Sequence, residues 1–472
     1  MGSAMTASVV GVAQVDITPD WPVMMGGFGQ RTSPSEGTLD SIFAKALYLS
    51  DGEGRLLFIT ADLICTPRSL GQSVVAGLAA RLGLDPGEIC VCASHTHSAP
   101  NPHDAGDGAI GVARFTSGLQ SAMIEVGVAA VRAARPGRVR TGVGALDTFF
   151  NRRTRGQPNL VDPRIPVIVA DDDATGAPIA VVFGAGCHPT TLGWDNMHIS
   201  GDFPGFAQHA LEAASPGLVA MFFNTTEGNV IPVTSPDRDA LDPRGYCGGS
   251  AHDTRVMGQA LADEVGRVMA RAPSAPPMRI AARRRNLRLA PNTPADDPDT
   301  LAVRLEEAQA TLAAFLGVDL SRALPPGPLW AVASEVVLRD DLAEPDMRRL
   351  MIACCRYLGL ASRVAAKSEP RPVEAPAQVM RINDFALLAL PGEALVEVGQ
   401  AWTALAQSPT AFVVGLANSH LRYLPMAANF DEPDADVRYE TVTAGLRNGG
   451  VERLLEGGAE MLAEIMESKA RR

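Results

Sequence analysis

The stretch that decides the fold reads Ile89-Cys90-Val91-Cys92-Ala93-Ser94-His95-Thr96-His97-Ser98. Its first half is an unbroken apolar run of strand length, whereas its second half is polar and carries two histidines. A run of this kind predicts a strand that is buried on both faces. In α/β proteins, functional side chains lie at the carboxyl ends of such strands. We therefore predict a strand over residues 89–94 that presents His95 at its end.

Apolar runs and amphipathic segments alternate along the rest of the chain. An apolar run over residues 179–186 precedes His188, and another over residues 377–390 precedes Glu393. Further strands are predicted at 46–49, 56–63, 218–223 and 412–416, and helices at 70–82, 300–367 and 451–469. This alternation predicts an α/β fold of layered mixed sheets with flanking helices. We expect a single domain over residues 5–472, with a helical insertion at 298–370.

The composition excludes several classes of protein. The 472 residues are 46% apolar, which is enough for a large core and speaks against disorder. A formal charge of −12 repels nucleic acid and anionic lipid surfaces. The run Arg283-Arg284-Arg285 suggests a phosphate tract, but blocks of like charge are usually solvated, and we interpret it as a strand face. No apolar stretch approaches the ~20 residues that a membrane span needs, so we expect neither a nucleic-acid partner nor a membrane span.

The seven cysteines are an odd number, scattered over the chain without the spacing of a zinc finger. Such a distribution favours free thiols in a reducing compartment. Cys90 and Cys92 alternate along an apolar run, which indicates small core residues. The cysteine spacing therefore gives no support to zinc on thiolates. With no secretion signal at the start of the sequence, we expect a cytoplasmic protein.

A group of histidines and one carboxylate suggests a metal site. His95 and His97 are two residues apart, and an extended chain points such residues to the same side. His188 and Glu393 each follow a predicted strand. Taken singly, each histidine also fits a hydrogen-bonded or surface residue, and Glu393 also fits the cap of a helix that begins near residue 394. Together, two histidines and a carboxylate with an open position for water are typical of catalytic zinc.

At this point the sequence resembles the catalytic domain of the neutral ceramidases, zinc amidases that cleave the N-acyl bond of sphingolipids. The most specific element of the resemblance is Ser94-His95-Thr96-His97-Ser98. The other landmarks follow in the family's order: Val15-Asp16-Ile17-Thr18-Pro19, Met24-Met25-Gly26-Gly27-Phe28, Asn151-Arg152, His188-Pro189-Thr190, Gly201-Asp202, Gly228-Asn229-Val230, Pro391-Gly392-Glu393 and Gly415-Leu416-Ala417-Asn418.

The resemblance implies a ligand set and three further roles. The zinc ligands that it implies are His95, His188, Glu393 and Tyr423. It implies that His97 transfers protons beside the metal. Arg152 would orient the substrate or stabilise developing negative charge, and Tyr439 would donate to the tetrahedral oxyanion.

The sequence also departs from the family. Ile231 stands where the family has a serine, and His97-Ser98 is followed by Ala99-Pro100-Asn101-Pro102-His103 instead of a glycine-rich turn. The segment before Tyr439 is longer and more acidic, with Asp431, Glu432, Asp434 and Asp436. We expect no C-terminal immunoglobulin-like domain of the kind that the ceramidases append. These departures favour a soluble or short-chain acyl amide over ceramide as the small-molecule substrate. The acidic segment could attract a cationic or polar amine part of that substrate.

Three hypotheses of function follow. The first is hydrolysis of an N-acyl bond by zinc-activated water, and the second is hydrolysis of an ester or lactone at the same metal. The third is a catalytically silent zinc-binding module, against which the presence of both His97 and Arg152 argues. His103, His198 and His420 fall in loops near the predicted site and are candidates to line the pocket. The sequence gives no indication of the oligomeric state.

Overall fold

The computed structural model describes most of the chain: residues 8–28, 31, 33–103, 110–153, 159–233, 249–273, 277–292, 298–317, 319–320, 350, 353–354, 356–357, 360–361, 364, 371–432, 435 and 438–470. Asp434 and Asp436 of the predicted acidic segment lie outside this part of the chain, as do two of the seven cysteines, Cys247 and Cys355.

Strands and helices alternate along the chain. In chain order, the strands are β1 Val9–Asp16, β2 Gly37–Thr38, β3 Phe43–Ser50, β4 Arg55–Ala61, β5 Ile89–Ala93, β6 Arg135–Ala145, β7 Phe149–Asn151, β8 Arg164–Asp172, β9 Pro178–Ala185, β10 His198–Ile199, β11 Val219–Asn224, β12 Val230–Pro232, β13 Ile280–Leu289, β14 Val373–Ile382, β15 Phe385–Ala389, β16 Glu393–Ala394, β17 Ala411–Val414 and β18 Tyr423–Leu424. The α-helices are α1 Arg68–Leu82, α2 Val112–Arg132, α3 Asp202–Ala214, α4 Ala251–Arg271, α5 Pro298–Leu316, α6 Val396–Leu405, α7 Ala427–Phe430, α8 Tyr439–Val442 and α9 Gly450–Ala470.

Two sheets form the framework. The larger has eight strands in the order β11-β9-β8-β6-β1-β3-β4-β5. It is mixed, because β4 and β5 are parallel, as are β9 and β11, while the other neighbours are antiparallel. The second sheet has the order β13-β14-β15-β17. Three pairs of short strands, β2 with β10, β7 with β12 and β16 with β18, lie outside these sheets.

The two sheets pack face to face through the apolar side chains of their strands. In β4, Leu56 and Phe58 share a core with Leu387 and Phe412 of the second sheet, whereas Leu57 faces the opposite way. Helices α1 and α2 cover one part of the outer face of the large sheet, and α3 and α4 cover the other. Helices α6 and α9 cover the second sheet. This layered arrangement confirms the predicted α/β fold with mixed sheets and flanking helices.

Hydrogen bonds draw the two edges of the large sheet together at one end. Asn224 ends β11, and its Nδ2 donates to the carbonyl oxygen of Ser94, just beyond β5, at 2.6 Å. The loop after β17 joins them, since the backbone N–H of Gly415 donates to Asn224 O at 2.9 Å and that of Asn418 to Val91 O at 2.7 Å. The loops that follow these strands therefore meet in one region.

Most predicted elements are confirmed to within a few residues. The strand predicted at 89–94 is β5, the helix at 70–82 is α1, and the helix at 451–469 is α9. The run at 377–390, predicted as one strand, is instead the hairpin of β14 and β15. The chain turns at Asn383, which has a φ of 54°, and asparagine is among the few residues that adopt this left-handed conformation readily.

The predicted helical insertion at 298–370 is described only in part. It begins with α5, and several of its buried side chains form a small core of their own: Leu312, Leu316, Leu320, Leu350, Cys354 and Tyr357. Residues 321–349 lie outside the described part of the chain. The insertion and the single-domain division therefore stay predictions.

The described residues also bear on membranes and cysteines. Among their helices, none combines the length and the hydropathy that spanning a bilayer requires. All five described cysteines are buried: Cys65, Cys90, Cys92, Cys187 and Cys354. Cys90 and Cys92 lie between the two sheets, which confirms them as core residues.

Candidate metal centre

His95 follows β5 in a bend that a regular strand does not contain. Its φ is 70°, and its backbone N–H donates to Leu63 O at 2.8 Å. Nδ1 of the ring is 2.5 Å from the carbonyl oxygen of Ile64. Because a carbonyl only accepts, Nδ1 carries the proton and Nε2 presents a lone pair. The bend, and not strand periodicity, brings His95 and His97 together.

His188 is anchored in the same way. It lies beyond β9 and is fully buried, and its backbone N–H donates to Val230 O at 2.9 Å. Its Nδ1 is 2.7 Å from the carbonyl oxygen of Glu227, so Nε2 again presents the lone pair. Burial lowers the pKa of His188 to about 4. The imidazole is therefore neutral, which is the form that binds metals.

Glu393 and Tyr423 are brought side by side by the pairing of β16 and β18, in which they are partners in register. Oε2 of Glu393 is 3.4 Å from Nε2 of both His95 and His188. The Tyr423 hydroxyl is 3.3 Å from Nε2 of His188. Glu393 does not cap a helix, since α6 begins only at Val396.

The buried carboxylate of Glu393 is a candidate to bind a cation. Its Oε2 is buried and has no hydrogen-bond partner among the described residues. Burial alone would raise the pKa of this carboxyl, but His95, His188 and His420 hold it well below the usual range. An ionised carboxylate in such a place is stabilised by a metal or an equivalent charge.

The donor set fits zinc. Two nitrogen or oxygen donors bound to one tetrahedral zinc ion lie about 3.3–3.6 Å apart. The separations of the Glu393 and Tyr423 oxygens from the histidine Nε2 atoms are 3.3 and 3.4 Å. Neutral imidazoles, a carboxylate and a phenol oxygen are ligands that zinc accepts.

His97 belongs to the same cluster but is held differently. Its Nε2 is 3.4 Å from Nε2 of His95, and together with His188 these rings form a buried group that could hold a metal ion. Its Nδ1, however, has no hydrogen-bond partner among the described residues, and no backbone carbonyl anchors it. Its ring lies edge-on to Phe28 at 4.7 Å between centroids. Burial, followed by the neighbouring imidazoles of His95 and His188, lowers the pKa of His97 well below its ordinary value.

Arg152 lies against Tyr423. Its Nη2 donates to the Tyr423 hydroxyl at 3.1 Å and to the carbonyl oxygen of Gly228 at 2.9 Å. Its Nε donates to Glu440 at 2.8 Å. Arg152 therefore fixes a predicted ligand directly.

Tyr439 lies at the start of α8, near the same ligand. Its ring meets that of Tyr423 edge-on, with 5.4 Å between centroids, and it is half-buried. The structure thus brings together all seven residues that the resemblance implied: His95, His97, Arg152, His188, Glu393, Tyr423 and Tyr439.

One of the two carboxylates described in the acidic segment before Tyr439 is neutralised by an arginine. Glu432 forms an ion pair with Arg153 at 2.6 Å, and Arg153 also bonds Glu440 at 3.1 Å. Only Asp431 of the described carboxylates in this segment is exposed. The attraction of a cationic substrate part therefore has less support than the sequence suggested.

Several residues of this region were not predicted from the sequence. Glu440 is 4% exposed and holds two arginines, and Arg31 holds the backbone carbonyl of His97 from a separate loop. The adjacent pair Arg152-Arg153 is a hint for Glu440, because buried guanidinium groups need carboxylate partners. No motif indicates Arg31.

The comparisons with known proteins agree with this geometry. The sequence model of the family "Neutral/alkaline non-lysosomal ceramidase, N-terminal" matches residues 9–247, just over half of the chain. The chain belongs to this ceramidase family. Neutral ceramidases are hydrolases that act on amide bonds, and the predicted resemblance is thereby confirmed.

Solved ceramidase structures share the fold over nearly the whole chain. The neutral ceramidase from Pseudomonas aeruginosa is 20% identical, with a TM-score of 0.71, and the match covers 98% of this chain and 75% of that one. A structure described as ceramidase complexed with C2 is also 20% identical with a TM-score of 0.71, covering 98% and 76%. The ceramidase fold therefore extends beyond residue 247 and includes the loops that carry Glu393 and Tyr423.

Proposed function

We propose that this chain is a zinc-dependent amidohydrolase that cleaves an N-acyl carboxamide bond. The observation that carries the proposal is the convergence of donors from four separate loops: His95, His188, Glu393 and Tyr423. Both imidazoles are turned by backbone carbonyls so that Nε2 faces the carboxylate. Membership of the ceramidase family supports the bond type.

When bound, zinc would lower the pKa of water and polarise the carbonyl that the water attacks. His97 would accept a proton at Nε2 from the attacking water and return it to the leaving amine. Its lowered pKa keeps the imidazole neutral near pH 7, which is the form that accepts a proton. Its Nδ1 is buried and has no hydrogen-bond partner among the described residues, so no backbone carbonyl fixes its tautomer as one does for His95 and His188.

Two further side chains have proposed roles. Arg152 positions the Tyr423 hydroxyl through the 3.1 Å bond and contributes positive charge next to the site. Tyr439, whose ring packs against Tyr423, would donate its hydroxyl proton to the tetrahedral oxyanion. Both roles put positive or hydrogen-bonding groups where negative charge develops.

For the substrate, we propose a soluble or short-chain N-acyl amide. Ile231 of β12 pairs in register with Phe150 of β7, one residue before Asn151-Arg152. Both side chains are half-buried. A serine at position 231 would offer a hydroxyl to a polar sphingoid group, and isoleucine offers only apolar contact. Cys65, Cys90, Cys92 and Cys187 are buried and form no disulfide within the described part of the chain, which supports a reducing, cytoplasmic location.

Ester or lactone hydrolysis at the same centre is the second candidate. A metal that polarises a carbonyl does so whether the leaving group is an amine or an alcohol. A silent binding module would have no use for an unanchored imidazole 3.4 Å from a ligand nitrogen. His97 therefore favours a catalyst over a binding module.

The test combines metal content with product analysis. Purified wild type should contain zinc, and His188→Ala should lose one equivalent by elemental analysis, while His198→Ala, outside the donor set, should keep it. Wild type should release an acid and an amine from an N-acyl amide faster than it cleaves the matched ester, relative to the uncatalysed rates. Unchanged zinc in His188→Ala, or cleavage of the ester alone, would refute the proposal.

A further inference from the structure

A second group of metal-binding side chains lies beside the first. Sγ of Cys65 is 3.3 Å from Nε2 of His103, and the rings of His103 and His420 are 6.2 Å apart between centroids. One donor atom from each of the three lies within 4.8 Å of the others. The proposed function gives none of them a role.

Glu393 connects the two groups. Its Oε1 is 3.2 Å from Nε2 of His420, while its Oε2 is 3.4 Å from both His95 and His188. One carboxylate thus places one oxygen in each group. In two-metal hydrolytic sites the ions lie about 3.5–4 Å apart, a distance that a carboxylate can bridge.

The second group is buried on one side and open on the other. Cys65 is 1% exposed, in the loop after β4. His420 is half-buried and His103 is exposed. An ion could therefore enter past His103 and reach a thiol and a carboxylate that are shielded from water.

A catalytic cysteine–histidine pair is the competing interpretation. Burial, followed by the negative charge of Glu393, raises the pKa of the Cys65 thiol. A nucleophilic cysteine needs the opposite shift. A cation among these groups would instead favour the thiolate, because a coordinated thiol is deprotonated.

We propose that Cys65, His103, His420 and Oε1 of Glu393 bind a second zinc ion, so that the site is a dinuclear centre. With Zn–S of about 2.3 Å and Zn–N of about 2.0–2.1 Å, a tetrahedral zinc separates these two donors by about 3.6 Å, and the observed 3.3 Å between Sγ and Nε2 is slightly shorter. Thiolate and imidazole ligands select zinc over magnesium or calcium. This second site goes beyond the proposed function but shares Glu393 with it.

The spacing of the cysteines could not indicate this site. Its ligands come from positions 65, 103 and 420, on three loops that only the fold brings together. A single cysteine in such a set has no partner in the sequence at zinc-finger spacing.

The experiment measures metal content and the absorption of the cobalt-substituted protein. Each protein is incubated with excess zinc, and unbound zinc is then removed by gel filtration. Wild type should retain two equivalents of zinc. One equivalent should remain in each of the variants Cys65→Ser, His103→Ala and His420→Ala. The controls are Cys354→Ser, also a buried cysteine, and His198→Ala, which should both retain two. With Co²⁺, wild type should show a thiolate-to-metal charge-transfer band that is lost in Cys65→Ser and kept in Cys354→Ser and His188→Ala.

The outcomes separate this proposal from the proposed function. The second site would be overturned, and the first kept, by the following result. Wild type retains one equivalent of zinc, His188→Ala loses it, Cys65→Ser keeps it, and the cobalt protein shows no thiolate band. If wild type retains one equivalent of zinc that Cys65→Ser loses and His188→Ala keeps, the second site is supported and the first is overturned. Since His103 is exposed, His103→Ala decides the matter even where Cys65→Ser does not fold.

Discussion

Nη2 of Arg152 donates a hydrogen bond to the hydroxyl of Tyr423 at 3.1 Å. The same hydroxyl is 3.3 Å from Nε2 of His188, so it lies between a fixed cation and the proposed metal. Burial raises the pKa of Tyr423 well above its ordinary value, and the charge of Arg152 acts against this rise. Arg152 therefore favours the phenol as an oxygen donor to a metal.

Tyr423→Phe should weaken zinc binding. The substitution keeps the ring that packs against Tyr439 and removes only the hydroxyl that faces His188. Loss of groups at and around a metal typically reduces affinity by about 10–100-fold, and we expect at least this loss. Competition with a chromophoric chelator measures it. Tyr439→Phe is the matched control and should bind zinc as the wild type does while turning over more slowly. Wild-type affinity in Tyr423→Phe would remove Tyr423 from the ligand set.

His97→Ala should keep zinc and lose turnover. We expect kcat to fall by about 10²–10⁴, the usual contribution of a positioned acid or base. Its Nδ1 has no carbonyl anchor, so removal of the ring leaves the anchored rings of His95 and His188 in place. Zinc content and kcat are measured on the same preparation. Loss of metal with little change in kcat per bound zinc would instead make His97 a ligand.

The stability of the protein should depend on the ionisation of Asp40. Burial raises the pKa of Asp40 to about 7, against hydrogen bonds from Ser200 and from the backbone N–H of Gly201 at 3.0 Å. Between about pH 4 and pH 7 the folded state then binds more protons than the unfolded state, so stability falls as pH rises through this window. The loss of stability is absent below the pKa of Asp40 in the unfolded state and complete above its pKa in the folded state.

Asp40→Asn should remove this dependence, because asparagine mimics the protonated carboxyl at every pH. From pH 5 to pH 8 the variant should gain about 2 kcal/mol relative to the wild type, since one pKa unit is about 1.4 kcal/mol. Chemical unfolding at both pH values measures the gain. Asp20→Asn, at an exposed position, is the control and should show no such trend. If the free energy of unfolding changed equally between pH 5 and pH 8 in Asp40→Asn and in the wild type, the prediction would be contradicted.

The sequence was sufficient for the layered fold and insufficient for parts of the site. Runs such as β5 are apolar on both faces, so their burial can be predicted from composition alone. The pairing of Glu393 with Tyr423 rests on two-residue strands, which leave no periodic pattern. The bend at His95 likewise depends on tertiary bonds to Leu63 and Ile64.

His95, His97, His188 and Glu393 were indicated by their spacing and by their positions after predicted strands, whereas Arg152, Tyr423 and Tyr439 came only from the resemblance to the family. Residues outside these patterns and motifs were missed. Glu440 pairs with Arg152 across 288 positions, and no local pattern encodes such a contact. His420 was predicted only to line the pocket, whereas its Nε2 is 3.2 Å from Glu393.

The substrate should be a soluble or short-chain N-acyl amide in preference to long-chain ceramide. Ile231, paired with Phe150, removes the hydroxyl that a serine would offer to a sphingoid group. The measurement compares kcat/KM for ceramide in detergent with values for short N-acyl amines and N-acyl amino acids. Because Glu432 is paired with Arg153, rates with cationic amides should change little at raised salt. Ile231→Ser is the matched variant and should shift preference toward ceramide. A preference of the wild type for ceramide by tenfold, about 1.4 kcal/mol in transition-state binding, would contradict the prediction.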